Sequence, residues 1–108
     1  MATVTQTNTS GVGCRSFTLD DANDETQRIP LSRGETCLIH ATGLTANTCS
    51  AQVLCYVEEN ATGVVLDFNG TTTFTTDFAL GFTAPGKCSI TVKETVDAGA
   101  GIVVTITK

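Results

Sequence analysis

Apolar and polar residues alternate one for one in short runs along most of the chain. Nowhere do apolar residues recur at helical spacing over a convincing length. A period of two places alternate side chains on opposite faces of a strand, so each run asks for one buried face and one exposed face. IVVTIT at 102–107 turns Ile102, Val104 and Ile106 inward, and KCSITVK at 87–93 turns Cys88, Ile90 and Val92 inward. ETCLIHA at 35–41 sets Cys37, Ile39 and Ala41 against Leu38 and His40. AQVLCYVE at 51–58 sets Ala51, Val53, Cys55 and Val57 against Gln52, Leu54, Tyr56 and Glu58. CRSFTL at 14–19 and VVLDF at 64–68 add two strands. QRIPL at 27–31 adds an edge piece, because Pro30 lacks the N–H that a central strand must donate. TTTFTTDFALGF at 71–82 carries Phe74, Phe78 and Phe82 as core anchors, with a bend expected around Gly81.

Turn signals separate these runs. Asn69-Gly70 is the strongest, since both residues tolerate positive φ, and Pro85-Gly86 and the Gly-rich 97–101 segment are others. Seven or eight short strands of this kind bury their apolar stripes most economically as a single antiparallel β-sandwich. The 108 residues suit one domain, spanning 13–108. Residues 1–12 hold Thr, Asn, Gln, Ser and Gly around Val4 and read as an extended arm, mobile or docked on a neighbour.

APGKCSITV at 84–92, a Gly-rich turn, and then IVVTIT resemble the last two strands of immunoglobulin-like sandwich domains. The resemblance covers roughly 35–107. It implies that ETCLIHA is the facing strand of the opposite sheet and SAQVLCYV the strand that follows it. In that family a tyrosine hydroxyl ties the corner two positions before an inward residue. Here Cys88 holds the tyrosine position and Ile90 the inward one, and the family's core tryptophan is missing. Cys88 is therefore expected to be a compact core residue, and a jelly roll is the alternative topology.

Composition excludes several functions. The net charge is −5 and the six basic residues (Arg15, Arg28, Arg33, Lys87, Lys93, Lys108) form no run, which argues against nucleic acid and anionic membranes. The first residues carry no secretory pattern, and no apolar run approaches a membrane span of about 18 residues. Synthesis in a cytosol without cleavage is the expectation. Charged residues make up only 16% of the chain and 21 residues are threonine, a composition suited to lying against other protein.

Chemistry-bearing sets are weak. Five cysteines without a leader read as small buried residues in a reducing compartment, with Cys37 and Cys88 the best candidates for a bridge. Cys37 and His40 form C-x-x-H, but alternation sends them to opposite faces, and Cys49 and Cys55 are too widely spaced for a zinc pair. Asp20, Asp21, Asn23, Asp24 and Glu25 are packed like the first half of a calcium loop. Thr26 stands where that loop needs glycine, so a solvated acidic turn is expected. No nucleophile elbow accompanies His40. TTTFTT is read as a strand with aromatic anchors rather than a threonine array. No catalytic, cofactor-binding or metal residue is assigned, and the chain is not read as an enzyme.

The remaining profile is a small, acidic, threonine-rich β domain with a polar arm. It resembles small virion proteins of tailed bacteriophages, capsid decoration or cement proteins in particular. That resemblance implies a structural protein on the capsid exterior that binds the major capsid protein at subunit joints, as a homo-oligomer with a trimer favoured. The alternative is an immunoglobulin-like binding or adhesion module of a phage tail, fibre or bacterial surface protein. Its recognition loops would be 42–50, 59–63 and 94–101.

Overall fold

The computed structural model describes residues 3–4, 14–19, 25–58, 62–96 and 101–108. Their elements are β1 (Thr3–Val4), β2 (Cys14–Leu19), β3 (Glu25–Thr26), β4 (Ile29–Leu31), β5 (Thr36–Thr42), α1 (Leu44–Asn47), β6 (Ser50–Tyr56), β7 (Val64–Val65), β8 (Phe78–Thr83), β9 (Cys88–Val96) and β10 (Ile102–Thr107). They form two sheets. One runs β2-β10-β5-β8; the other runs β1-β3-β9-β6-β7, with β4 also paired to β9. Every pairing is antiparallel except β1 with β3. β3 and β4 share the edge of β9 that β6 leaves free, so they act as one strand interrupted at Gln27-Arg28. Thr3–Val4 of the amino-terminal arm thus pairs with this chain's own sheet. Among the described residues no helix is long and apolar enough to cross a membrane.

The all-β sandwich expected from the alternation is what the chain forms. The immunoglobulin-like detail is corrected. An immunoglobulin-like sandwich keeps its last two strands in one sheet, but β9 lies in the β3/β4-β9-β6-β7 sheet while β10 lies between β2 and β5 in the other. Treating β3/β4 as one strand, the chain changes sheet at every step but one, β6 to β7. The resulting four-strand orders, β2-β10-β5-β8 and β3/β4-β9-β6-β7, are those of an eight-stranded jelly roll. Alternation fixes which face of a strand is buried. It leaves the partner open, so β9 and β10 meet their pattern equally well from opposite sheets.

The core lies between the sheets. Phe17, Leu19, Ile39, Ala41, Ile102, Val104 and Ile106 point in from one side, and Ile29, Leu31, Ala51, Val53, Ile90 and Val92 from the other. Fully burying each large member stabilises the fold by about 1.5–3 kcal/mol. Cys88 is buried among them, as a compact core residue should be. Along one flank Phe68, Phe74, Phe78 and Phe82 pack half-buried against the core, with Phe74 and Phe78 stacked at 4.2 Å between ring centroids.

Two expectations about this flank are corrected. β8 runs through Gly81 without a bend, because residues four apart on a strand already share a face. Phe74 stands outside β8, and 71–76 is not a strand; isolated bridges join Phe68 to Thr71 and Phe74 to Ala51. The Asn69-Gly70 turn is present, with φ of 56° and 91° and an Asp67 carboxylate accepting from the Gly70 N–H at 2.6 Å. Likewise the ladder pairs only Val64–Val65 of the 64–68 run, and Val57 is exposed beyond the end of β6.

Candidate interaction face

The outward positions of the four-stranded sheet are Ser16 and Thr18 on β2, Val103, Thr105 and Thr107 on β10, Thr36, Leu38, His40 and Thr42 on β5, and Ala79, Gly81 and Thr83 on β8. No Lys, Arg, Asp or Glu is among them. The register lines them up in rows across the sheet. Ser16 stands beside Thr105, Thr105 beside His40 and His40 beside Ala79; Thr107 stands beside Leu38 and Leu38 beside Gly81.

Hydroxyls on neighbouring strands satisfy one another. The Ser16–Thr105 pair spans 3.1 Å and the Thr36–Thr83 pair 2.8 Å. Leu38 and Val103 are each nearly half exposed. The face is therefore free of Lys, Arg, Asp and Glu and hydrogen-bond capable, and little charge must be desolvated when another surface covers it. Among the described strands none pairs with the free edge of β8, which carries no Lys, Pro or bulge of the kind that discourages edge-to-edge pairing.

The opposite outer face differs in kind. There Tyr56 donates its hydroxyl to the Glu25 carboxylate at 2.5 Å, and Thr91 donates to the same oxygen at 2.7 Å. The Arg28 guanidinium lies 3.9 Å over the Tyr56 ring. Burial, and then the hydrogen bond to Glu25, hold the Tyr56 phenol above its ordinary pKa. A groove of about 610 Å³ beside it is walled by Arg28, Glu35, Tyr56, Glu58, Lys87 and Lys108 among others, with Lys108 3.5 Å from the Glu35 carboxylate. Glu35 is held below the usual carboxylate range, first by the Ser32 backbone N–H it accepts from. Charges of both signs close this side, whereas the first face is neutral.

The residues singled out in the sequence fall as follows. Cys37 is buried and His40 exposed, on the two faces of β5 as alternation requires. Cys37, Cys49, Cys55 and Cys88 are free thiols, so the candidate Cys37–Cys88 bridge is absent; the two residues stand on opposing sheets. Among the described residues no group of three or more His, Cys, Asp or Glu side chains is placed to hold a metal ion.

Of the acidic segment, Asp20, Asp21, Asn23 and Asp24 lie outside the described residues. Glu25 is not part of a solvated turn: it is buried in β3 under Tyr56. Of the recognition loops, 42–50 contains α1, whose first N–H groups, at Leu44 and Thr45, donate to Asp77. Parts of the other two, 59–61 and 97–100, lie outside the described residues.

The sequence reading set aside a threonine array at TTTFTT and did not find the threonine surface on the four-stranded sheet. The signal was present as an absence of charge at every outward position of four separate runs. It becomes a surface only when the runs are neighbours. Comparison with protein-family models, with curated proteins and with solved structures finds no match to this chain.

Proposed function

We propose that this chain is a structural adhesive module that docks through the outer face of β2-β10-β5-β8, and that its role is capsid decoration. It sits on the exterior of a virus particle of the tailed-bacteriophage kind, across joints between major capsid protein subunits. The observation that carries the reading is the charge-free, threonine-rich outer face. Many weak copies bridging many joints resist internal pressure through avidity, without catalysis and without a deep pocket. The jelly-roll order is compatible, being used by capsid and lectin domains alike, and a fold of itself assigns no role. A homo-oligomer, a trimer in the favoured form, multiplies the contacts each unit makes.

The test is binding of the purified chain to capsid shells stripped of decoration. Saturable binding that raises the temperature at which shells rupture supports the reading. A chain that leaves shells untouched, and sediments as a monomer at all concentrations, sinks it.

A further inference from the structure

Cys55 lies on β6 directly opposite Ile90 of β9, and Cys88 lies two residues before Ile90. Residues two apart on a strand share a face, so the two thiols stand diagonally across neighbouring strands on the inner side of the sheet. Both open into one depression of about 320 Å³, whose other walls include Val57, Leu66, Phe82, Pro85 and Lys87. Burial, followed by the proximity of Cys55, pushes the Cys88 thiol up to about 11. Cys88 is thus a neutral S–H at physiological pH.

Diagonal neighbours in an antiparallel pair have Cα atoms about 7–8 Å apart, beyond the roughly 6.8 Å reach of an unstrained disulfide. A direct S–S bond would need the backbone to move. One larger soft atom between the sulfurs would not. We propose that Cys55 and Cys88 form a two-thiol site for a soft, thiophilic centre that carries an apolar group, with organic arsenic(III) as the chemical class. The apolar group rests against Leu66, Phe82 and Pro85.

With an organoarsenic(III) oxide, two S–H bonds and the arsenic–oxygen bond break and two As–S bonds form. Both thiol protons leave with the oxygen as one water, and arsenic keeps its oxidation state. The site is independent of the proposed docking face, which lies on the other sheet.

The experiment uses phenylarsine oxide on the intact, reduced chain. Intact-mass measurement should show one adduct per chain, and thiol titration after denaturation should show two of the five thiols lost. The adduct should survive excess monothiol and be stripped by a dithiol. Cys55→Ser and Cys88→Ser should each weaken binding by about 100-fold or more, since the chelate is lost. Cys49→Ser should leave it unchanged, and far-UV circular dichroism checks that each variant is folded. Because Cys55 is only half-buried, Cys55→Ser is the variant expected to keep native stability. No adduct, an adduct using one thiol, or one mapping to Cys37 overturns the proposal. So does ready peroxide-driven formation of a Cys55–Cys88 disulfide with no change in unfolding midpoint, which would mean that the strands approach more closely than their register implies.

Discussion

The Tyr56 hydroxyl donates a hydrogen bond to Oε2 of Glu25 at 2.5 Å, from β6 to β3 across the strand between them. Thr91 on that middle strand, β9, donates to the same oxygen. A carboxylate that is nearly buried on a sheet face is tolerable because two hydroxyls replace its water. Tyr56→Phe keeps the ring under Arg28 and removes only the donor. It should cost about 1–3 kcal/mol, read from the urea midpoint at unchanged slope.

Alkali should destabilise the chain in a definite window. Cys88 titrates at about 11 in the folded state against an ordinary 9.0, and burial raises Cys37 as well. Between those values the unfolded chain has lost a proton that the folded chain still holds, so stability falls as pH rises. The contribution is intact below about 9 and lost as pH climbs through 11. Tyr56, also raised, adds to the fall above 10. Urea midpoints measured across this range should decline, and Cys88→Ala should decline less steeply than the parent.

Gly43 enters α1 with φ of +95°, and a Cβ there would stand 2.8 Å from the Gly101 carbonyl oxygen. Gly43→Ala should therefore combine left-handed strain, about 1–2 kcal/mol, with a backbone clash. Gly70 has a similar φ of +91° but open space around it. Gly70→Ala should show the strain alone, and the difference between the two unfolding free energies isolates the clash.

Asp77 accepts hydrogen bonds from the Leu44 and Thr45 N–H groups at 2.9 and 3.2 Å, capping α1 from 32 residues away or more in sequence. Asp77→Ala should cost about 1 kcal/mol. Amide exchange should quicken first at Leu44 and Thr45, which lose the acceptor. Uniform quickening across both sheets would count against this account.

The docking face makes a prediction separable from folding. Ala79 is exposed and stands beside His40 in the Thr105–His40 row. Ala79→Glu places an unpaired charge in any interface formed there and should weaken capsid binding by about tenfold or more, with an unchanged unfolding midpoint. Lys93→Ala, on the other sheet, should bind as the parent does. Equal loss from both would move the docking surface elsewhere.

The buried face of each long strand was legible in the sequence, because burial imposes a period of two that polar substitution would break. Ile102, Val104 and Ile106, or Cys37, Ile39 and Ala41, declare their side without any knowledge of their neighbours. The Asn69-Gly70 turn was equally legible, its positive φ values being a local steric preference. The tertiary structure alone decided that β10 pairs with β2 and β5 rather than with β9. Pairing depends on which backbone edges meet in space, and every strand presents the same N–H and C=O groups along its edge. For the same reason a neutral outer face, a Tyr56–Glu25 contact spanning 31 residues of chain and two thiols sharing one pocket existed in the sequence only as separate residues. Long-range register brought them together.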